Sequence, residues 1–205
     1  MLHRVSAILL AAGSSTRMGR LKQLLPLDGK PVIRHCIDSI LAADIHDIVV
    51  VIGRYGGELS KALEGLPVKK VLNENPASEM SGSIRIGLRA ADHSSSGVMV
   101  NLSDQPLISA ETIKTLVKLH SETPGRIIVP QYGNKKGHPV LFPRHVIEEI
   151  FTGITLRDVV KGDPERVRTV SVMDEGVIID IDSMEDYERA VLKYAARFQT
   201  HVDRR

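Results

Sequence analysis

The 205-residue chain has one cysteine, no tryptophan and only 3% aromatic residues. A single cysteine excludes both an intramolecular disulfide and a cysteine-based metal cluster, and this usage is typical of a protein from the reducing cytoplasm. Cys36 falls on the apolar stripe of a predicted helix, so we expect a buried core thiol and not a nucleophile. The scarcity of aromatic rings argues against modules that stack on single-stranded nucleic acid.

The sequence also lacks a long apolar run and a strong excess of either charge. No apolar stretch approaches the length that spans a bilayer, so we expect no membrane partner. The 27 Lys and Arg residues are nearly balanced by 25 Asp and Glu residues, which predicts no nucleic-acid partner. The length and the 42% hydrophobic content are typical of one globular domain. We predict a single domain over residues 1–199 and a disordered tail over residues 200–205.

Apolar segments with strand-like and helix-like periods alternate along the chain. Strands are predicted over residues 5–10, 47–52, 68–72, 97–102 and 126–129, and helices over residues 31–43, 81–91, 183–198 and a segment that Ser109 caps. This alternation predicts βαβ units, and the unbroken Val and Ile runs are typical of strands buried on both faces. Residues 167–172 and 177–181 could form a further strand pair. We therefore predict an α/β fold of three layers with a mainly parallel central sheet.

A loop of small residues follows the first predicted strand: residues 10–19 are LAAGSSTRMG, and Lys22 comes shortly after. Backbone N–H groups in such a loop can approach and bind an anion, and Arg17 and Lys22 would add positive charge. Ligands of open α/β sheets bind at this position, beyond the carboxyl end of a strand. The loop has neither the spacing of a Walker A loop nor that of a dinucleotide fingerprint. It is a phosphate loop of another kind, or an ordinary turn.

Three carboxylates stand at predicted strand or helix ends. Asp104 directly follows strand 97–102, where it could hold Mg²⁺ together with substrate phosphates, or belong to an ordinary turn before Pro106. Asp180 and Asp182 precede the last predicted helix, and alternation along an extended segment places both on the same side. One of them could complete a metal site with Asp104, or Asp182 or Ser183 could merely cap the helix.

Two further polar segments have a functional and a structural interpretation. Gly137-His138-Pro139 could form a substrate-contacting loop, although a surface histidine is the commoner case. Short polar residues at 73–75 and 81–83 could contact a base or a ribose, or form turns and the cap of the following helix. The eight histidines include no H-x-H or H-x-x-x-H pair, so we expect no zinc site.

Residues 10–33, LAAGSSTRMGRLKQLLPLDGKPVI, resemble the opening signature of the MobA-like nucleotidyltransferases, LAxGxSxRMGxxKxLL. Residues 104–106 (DQP), 137–142 (GHPVLF) and 179–187 (IDIDSMEDY) resemble later landmarks of the branch that makes molybdopterin cytosine dinucleotide. The resemblance covers residues 5–187 and implies a Rossmann-like nucleotidyltransferase fold. The loop begins Ala-Ala-Gly, where the guanylyltransferase branch has Gly-Gly, and this favours CTP over GTP.

The resemblance implies a role for each matching residue. Arg17 and Lys22 bind the phosphates, with Lys22 on the α-phosphate, whereas Asp104 and Asp182 bind Mg²⁺ or Mn²⁺, since oxygen ligands suit both. The residues that would bind the rest of the nucleotide are Leu10, Ala11, Ala12, Gly13, Ser14, Ser15, Asn75 and Ser83. The residues implied on the acceptor side are Gly137, His138 and Arg157.

The implied reaction transfers CMP from CTP to the terminal phosphate of molybdopterin, or of its molybdenum form, and releases pyrophosphate. That phosphate is already ionised at neutral pH, so catalysis requires positioning and charge neutralisation but no general base. Three alternatives stay open: the same reaction with GTP, transfer to another phosphorylated acceptor, and a non-catalytic accessory protein that binds a nucleotide or the cofactor. A client molybdoenzyme would be a further partner.

Overall fold

The computed structural model describes residues 4–13, 18–53, 56–75 and 79–202. The described strands are β1 (Val5–Ala11), β2 (Pro26–Leu27), β3 (Lys30–Pro31), β4 (Asp47–Ile52), β5 (Lys69–Leu72), β6 (Gly97–Leu102), β7 (Ile127–Tyr132), β8 (Lys135–Lys136), β9 (Val140–Pro143) and β10 (Val167–Ser171). The described helices are α1 (Val32–Ala42), α2 (Gly56–Ala62), α3 (Met80–Ala90), α4 (Ala110–Glu122), α5 (Arg144–Ile147), α6 (Leu156–Gly162) and α7 (Met184–Val202).

Within the described residues, the strands form an eight-stranded sheet in the order β10-β7-β9-β6-β1-β4-β5, with β8 paired to β7. Strand β1 lies between β6 and β4 and runs parallel to both. Strands β5 and β10 also pair in parallel with their neighbours, whereas β9 is antiparallel to β6 and β7. The predicted mainly parallel sheet is therefore confirmed.

Alternate side chains of the central strands belong to two separate apolar clusters. Leu9 of β1 and Val50 of β4 pack in one cluster with α1, α2 and α4, and Cys36 of α1 is buried there as expected. Ile8 of β1 and Val49 of β4 pack in the other cluster with α3, α5 and α6. Because the helices cover both faces of the sheet, the predicted three-layer, Rossmann-like α/β fold is confirmed.

A third apolar cluster joins the β2–β3 hairpin to α7. Leu27, Ile181 and Ala190 are among its buried members, and the Tyr187 hydroxyl donates a hydrogen bond to the carbonyl of Pro26. The hairpin follows Lys22 in the chain, and α7 follows residues 180–182. This packing therefore brings two segments that are distant in sequence to the same place.

Two strand predictions for the C-terminal half were wrong. Strand β7 does not end before Pro130 but continues to Tyr132, because the Pro130 carbonyl accepts the N–H of Gly137 at 2.8 Å and β10 pairs alongside. Residues 177–181 form no strand with β10; a 3₁₀ turn covers Glu175–Ile178 and β10 pairs with β7 instead. Gly176 packs so tightly on the Leu107 carbonyl that a side chain would overlap with it, which holds this segment under the loop after β6. Helix α7 extends to Val202, beyond its predicted end at residue 198.

Asp47, at the amino end of β4, connects two neighbouring segments. Its carboxylate accepts the N–H of Asp92 at 2.7 Å and lies 2.7 Å from the ammonium of Lys69. Burial alone would raise the pKa of Asp47, but these contacts outweigh it and the pKa is lowered. The ionised carboxylate therefore stabilises the fold above its unfolded-state pKa of about 3.9, and this contribution is lost as the pH falls through the lower, folded-state value.

We expect Asp47→Asn to lower the urea midpoint near neutral pH, because the substitution removes the charge that Lys69 neutralises. The difference from the wild type should shrink as the pH falls through the lowered pKa of Asp47 in the folded state, because the wild-type carboxyl then becomes protonated. Urea unfolding of both proteins at several pH values measures this difference. A difference that does not change with pH would contradict the assigned contacts.

Candidate active site

Four loops meet at the carboxyl edge of the sheet, where β6, β1, β4 and β5 are neighbours. Ala12 follows β1, Gly53 follows β4, Asn73 follows β5, and Asp104 lies two residues beyond β6. The Asn73 N–H donates to the carbonyl of Ile52 at 2.7 Å, which joins two of these loops directly. Since the four strands run parallel, their carboxyl ends open on one crevice, the usual position of a ligand in this architecture.

The loop after β1 passes very close to the loop after β4. A Cβ at Gly53 would lie 2.6 Å from the carbonyl oxygen of Ala12 and 3.0 Å from its Cα. Ala11 is buried in β1, whereas Leu10 is half-buried and Gly13 is exposed. The predicted nucleotide-binding residues outside the described part of the chain are Ser14, Ser15 and Arg17.

We expect Gly53→Ala to destabilise the fold and to weaken nucleotide binding. The added methyl group would displace the backbone of Ala12, and overpacking of this kind costs about 1–3 kcal/mol. Gly57 offers a matched control on α2, because a Cβ there has nothing within 4 Å, and Gly57→Ala should be neutral or stabilising. Thermal unfolding and a CTP titration measure both effects. Equal unfolding temperatures and equal CTP affinities for the two variants would contradict the close contact between Gly53 and Ala12.

Lys22 lies between two of the predicted metal-binding carboxylates. Its Nζ is 2.5 Å from Asp104 Oδ2 and 2.8 Å from Asp182 Oδ1. Lys22 begins a short 3₁₀ turn, and the buried side chains of Leu21 and Leu25 fix this turn on the protein. The side chains of Lys22 and Asp104 are only 15% and 17% exposed, whereas that of Asp182 is 58% exposed. The structure therefore brings three predicted site residues together, with Lys22 and Asp104 shielded from solvent and Asp182 exposed.

The opposite charges in this cluster stabilise one another. Burial alone would lower the pKa of Lys22, but Asp104 and Asp182 outweigh it, and the pKa of Lys22 is raised. Lys22 therefore keeps its proton across the physiological pH range. A permanently charged ammonium group at the crevice is suited to neutralise a substrate phosphate.

The two carboxylates fit a divalent cation that prefers oxygen ligands. Oδ1 of Asp104 is buried and accepts no hydrogen bond from the described residues, so the protein leaves this oxygen to another partner. No cluster of three or more His, Cys, Asp or Glu side chains in the described ranges could hold a metal ion. Asp104 and Asp182 therefore suit a cation that takes its other ligands from substrate phosphates and water.

Asp182 does not cap α7. Its carboxylate is directed to Lys22, while Ser183 Oγ accepts the N–H of Asp186 at 3.1 Å and donates to Asp186 Oδ2 at 2.6 Å. The Asp182 N–H donates to the same carboxylate at 3.3 Å. The helix start is thus satisfied by Ser183 and Asp186, which leaves the Asp182 side chain to the crevice.

Asp180 has a different partner from Asp182. Its Oδ1 accepts a hydrogen bond from Gln105 Nε2 at 2.5 Å. Partial burial and the negative charge of Asp104 raise the pKa of Asp180, although the hydrogen bond from Gln105 opposes this change. Sequence reasoning gave Gln105 no role of its own, although it stands in the DQP segment that carries part of the family resemblance.

Gly137 and His138 lie beside the segment that contains Asp180. The His138 N–H donates to the carbonyl of Val177 at 2.9 Å, and a side chain at Gly137 would overlap with the same carbonyl. Burial lowers the pKa of His138, whereas the nearby charges of Asp180 and Asp104 oppose this change. The His138 ring is therefore neutral at physiological pH and close to the carboxylates of the crevice.

The predicted base-side residues are linked through Asn73. Its Nδ2 donates to the buried Ser83 Oγ at 2.9 Å, and its Oδ1 accepts the N–H of Asn75 at 3.1 Å. Sequence reasoning named Asn75 and Ser83 but gave Asn73 no role of its own, although a polar residue at the end of β5 was a usable signal. Arg157 is exposed on α6, and no hydrogen bond or ion pair connects it to the other site residues that the structure describes.

A mainly parallel α/β sheet with charged groups at its carboxyl edge belongs to the class of α/β proteins that bind their ligands at that edge. The family model of the MobA-like NTP transferase domain matches residues 7–163. The chain belongs to this family of nucleotidyltransferases, whose expected substrate is a nucleoside triphosphate. None of the helices in the described ranges has both the length and the apolar character needed to cross a membrane.

The chain is also similar in sequence to a nicotine blue oxidoreductase and to the bifunctional protein GlmU. Nicotine blue oxidoreductase of Paenarthrobacter nicotinovorans is 28% identical over 197 residues, which is 90% of this chain and 95% of that protein. The bifunctional protein GlmU of Symbiobacterium thermophilum is 38% identical over 124 residues, 58% of this chain and 25% of GlmU. The match therefore spans about a quarter of the length of GlmU.

The fold is similar to that of Rv0371c from Mycobacterium tuberculosis H37Rv. The TM-score is 0.82 at 26% identity, over 93% of this chain and 98% of that chain. A second structure of Rv0371c, in complex with manganese, has a TM-score of 0.77 at the same identity and coverage.

Proposed function

We propose that this chain transfers CMP from CTP to the terminal phosphate of molybdopterin, or of its molybdenum form, and releases pyrophosphate. The observation that carries the proposal is the position of Lys22, 2.5 Å from Asp104 and 2.8 Å from Asp182 at the carboxyl edge of the sheet. Phosphoryl transfer needs such groups, because it depends on positioning and on neutralising phosphate charge. The Ala-Ala-Gly start of the first loop supports CTP, and the GHP and IDIDS segments support the molybdopterin acceptor.

In this proposal the acceptor phosphate attacks the α-phosphorus of CTP in line, and the bond between the α- and β-phosphates breaks. The attacking oxygen is already ionised, so no side chain has to remove a proton from it. Lys22, with Arg17 from the signature loop, stabilises the negative charge on the transferred group. Gly137, His138 and Arg157 remain the residues that we propose for the acceptor side.

Asp104 and Asp182 would hold Mg²⁺ or Mn²⁺ at this site. When bound, the cation neutralises phosphate charge and favours the departure of pyrophosphate. The manganese complex of Rv0371c, at 26% identity, supports a divalent cation in a related protein. The buried Asp104 Oδ1, with no hydrogen bond from the described residues, supports the same assignment in this chain.

CTP with a label on one chosen phosphorus tests the proposed reaction. A label on the α-phosphorus should appear in the pterin product, whereas a label on the γ-phosphorus should appear in pyrophosphate. Both transfers should require the acceptor and a divalent cation. Release of labelled CMP without a labelled pterin product would contradict transfer to molybdopterin.

The similarity to nicotine blue oxidoreductase, over 90% of this chain, favours an oxidoreductase as a second candidate. The first loop argues against it, because the loop lacks the glycine spacing that binds a dinucleotide cofactor. Oxidation of NADH or NADPH in the presence of an aromatic dye, without pyrophosphate release, would support this candidate. The labelled-CTP experiment with GTP, or with another phosphorylated acceptor, distinguishes the remaining alternatives, and nucleotide binding without turnover would indicate a carrier.

A further inference from the structure

Two hydrogen bonds join residues 180–182 to the loop after β6, and the proposed reaction assigns them no role. The Ile181 N–H donates to the carbonyl oxygen of Asp104 at 3.0 Å. One residue earlier, Asp180 Oδ1 accepts from Gln105 Nε2 at 2.5 Å. The loop therefore holds this segment through both a main-chain and a side-chain contact, directly before the residue that contacts Lys22.

Gln105 is itself buried in the interior, where it is only 2% exposed. Its Oε1 is buried and receives no hydrogen bond from the described residues, which costs stability. An apolar side chain of the same length would avoid this cost, so the amide has a purpose other than packing.

The other end of the segment is held by the start of α7. Ser183 Oγ and the Asp186 carboxylate satisfy each other and the local N–H groups. Residues 180–182 are thus fixed at both ends, and the freedom of the exposed Asp182 side chain is reduced to its own rotation. A loss of either anchor would let the Asp182 carboxylate move away from Asp104 and Lys22.

We propose that Gln105 is a positioning residue: it anchors residues 180–182 through Asp180 and so keeps the Asp182 carboxylate beside Asp104 and Lys22. This inference rests on the proposed function, in which these carboxylates hold a divalent cation. Groups that orient a metal ligand without contacting the metal typically change metal affinity by about 10- to 100-fold. Gln105 holds no cation itself. It follows Asp104 directly in the chain, and it bonds Asp180, which lies two residues before Asp182.

The test measures Mn²⁺ binding in the presence of CTP and without acceptor, by electron paramagnetic resonance of the free ion. Gln105→Met removes the amide and keeps the length of the side chain, and we expect Mn²⁺ to bind about tenfold more weakly. Asp180→Ala removes the other partner of the same hydrogen bond and should weaken binding to a similar degree. The double variant should bind Mn²⁺ about as tightly as the single variant with the lower affinity, because both substitutions break the same hydrogen bond.

Gln131→Met is the matched control, since Gln131 donates to the Gly133 carbonyl and not to the carboxylate segment. Normal Mn²⁺ affinity in Gln105→Met, or additive losses in the double variant, would overturn the positioning role. Asp180 is much more exposed than Gln105, so Asp180→Ala alone keeps the test available if Gln105→Met fails to fold. Asp104→Asn tests the metal site separately from the role of Gln105. Undiminished Mn²⁺ binding in that variant would overturn the metal site itself.

Discussion

Replacing Lys22 by alanine should lower kcat for pyrophosphate release by about a hundredfold or more, the usual effect of losing one preorganised group that stabilises developing charge. The ammonium of Lys22 lies within 2.8 Å of two carboxylates and is largely shielded from solvent, so water cannot replace it at the same position. The variant also leaves the Asp104 carboxylate without its cationic partner, which should weaken folding stability. Initial rates of pyrophosphate release at saturating CTP, compared with thermal unfolding, separate these two effects.

Lys30→Ala is the control for this prediction. Lys30 also forms an ion pair, 2.8 Å from Asp38, but both side chains are exposed and the pair lies outside the crevice. Exposed pairs of this kind contribute about 1 kcal/mol or less, so this variant should keep its activity. Normal turnover by Lys22→Ala would remove Lys22 from the mechanism, whatever the result for Lys30→Ala.

Asp104→Asn should reduce activity by a similar factor, about a hundredfold, through a different cause. The substitution keeps the shape of the side chain but removes the charge that would hold a divalent cation, and such a cation contributes several kcal/mol to phosphoryl transfer. Because about 1.4 kcal/mol corresponds to a factor of ten, a loss of two orders of magnitude is the expected size. Raising the Mn²⁺ concentration should restore part of the activity, since weaker binding is the main defect.

Asp38→Asn is the matched control, because Asp38 pairs with a lysine at an exposed position outside the crevice. We expect it to retain both its rate and its dependence on Mn²⁺. An Asp104→Asn variant whose rate and Mn²⁺ dependence equal those of the wild type would show that Asp104 holds no cation during the reaction.

The central strands could be predicted from the sequence because local pattern decides them. Strands β4 and β6 have the predicted bounds, 47–52 and 97–102, since short runs rich in Val, Ile and other apolar residues are typical of strands buried on both faces. The C-terminal half depends on contacts between distant residues, such as Gly176 against Leu107 and Gly137 against Val177. Local periodicity contains no information on these contacts, and the strand predicted over residues 177–181 was wrong for that reason.

In the candidate site, too, local sequence pattern predicts some features, whereas contacts between distant residues decide others. The position of Asp104 and of the first loop at one edge followed from parallel strands, and the membership of the nucleotidyltransferase family is confirmed. The choice between Asp180 and Asp182 could not be made, because both lie on one side of an extended segment. Their separation depends on Gln105 and on the start of α7, and a glutamine in a turn gives no periodic signal.

Pyrophosphate release with each of CTP, GTP, ATP and UTP, in the presence of Mg²⁺ and freshly prepared molybdopterin, tests the central claim most directly. We expect release with CTP and none above background with the other three nucleotides. Release with GTP instead would keep the mechanism and contradict the argument from the Ala-Ala-Gly loop. No release with any nucleotide, by a protein that binds CTP, would contradict transfer to molybdopterin.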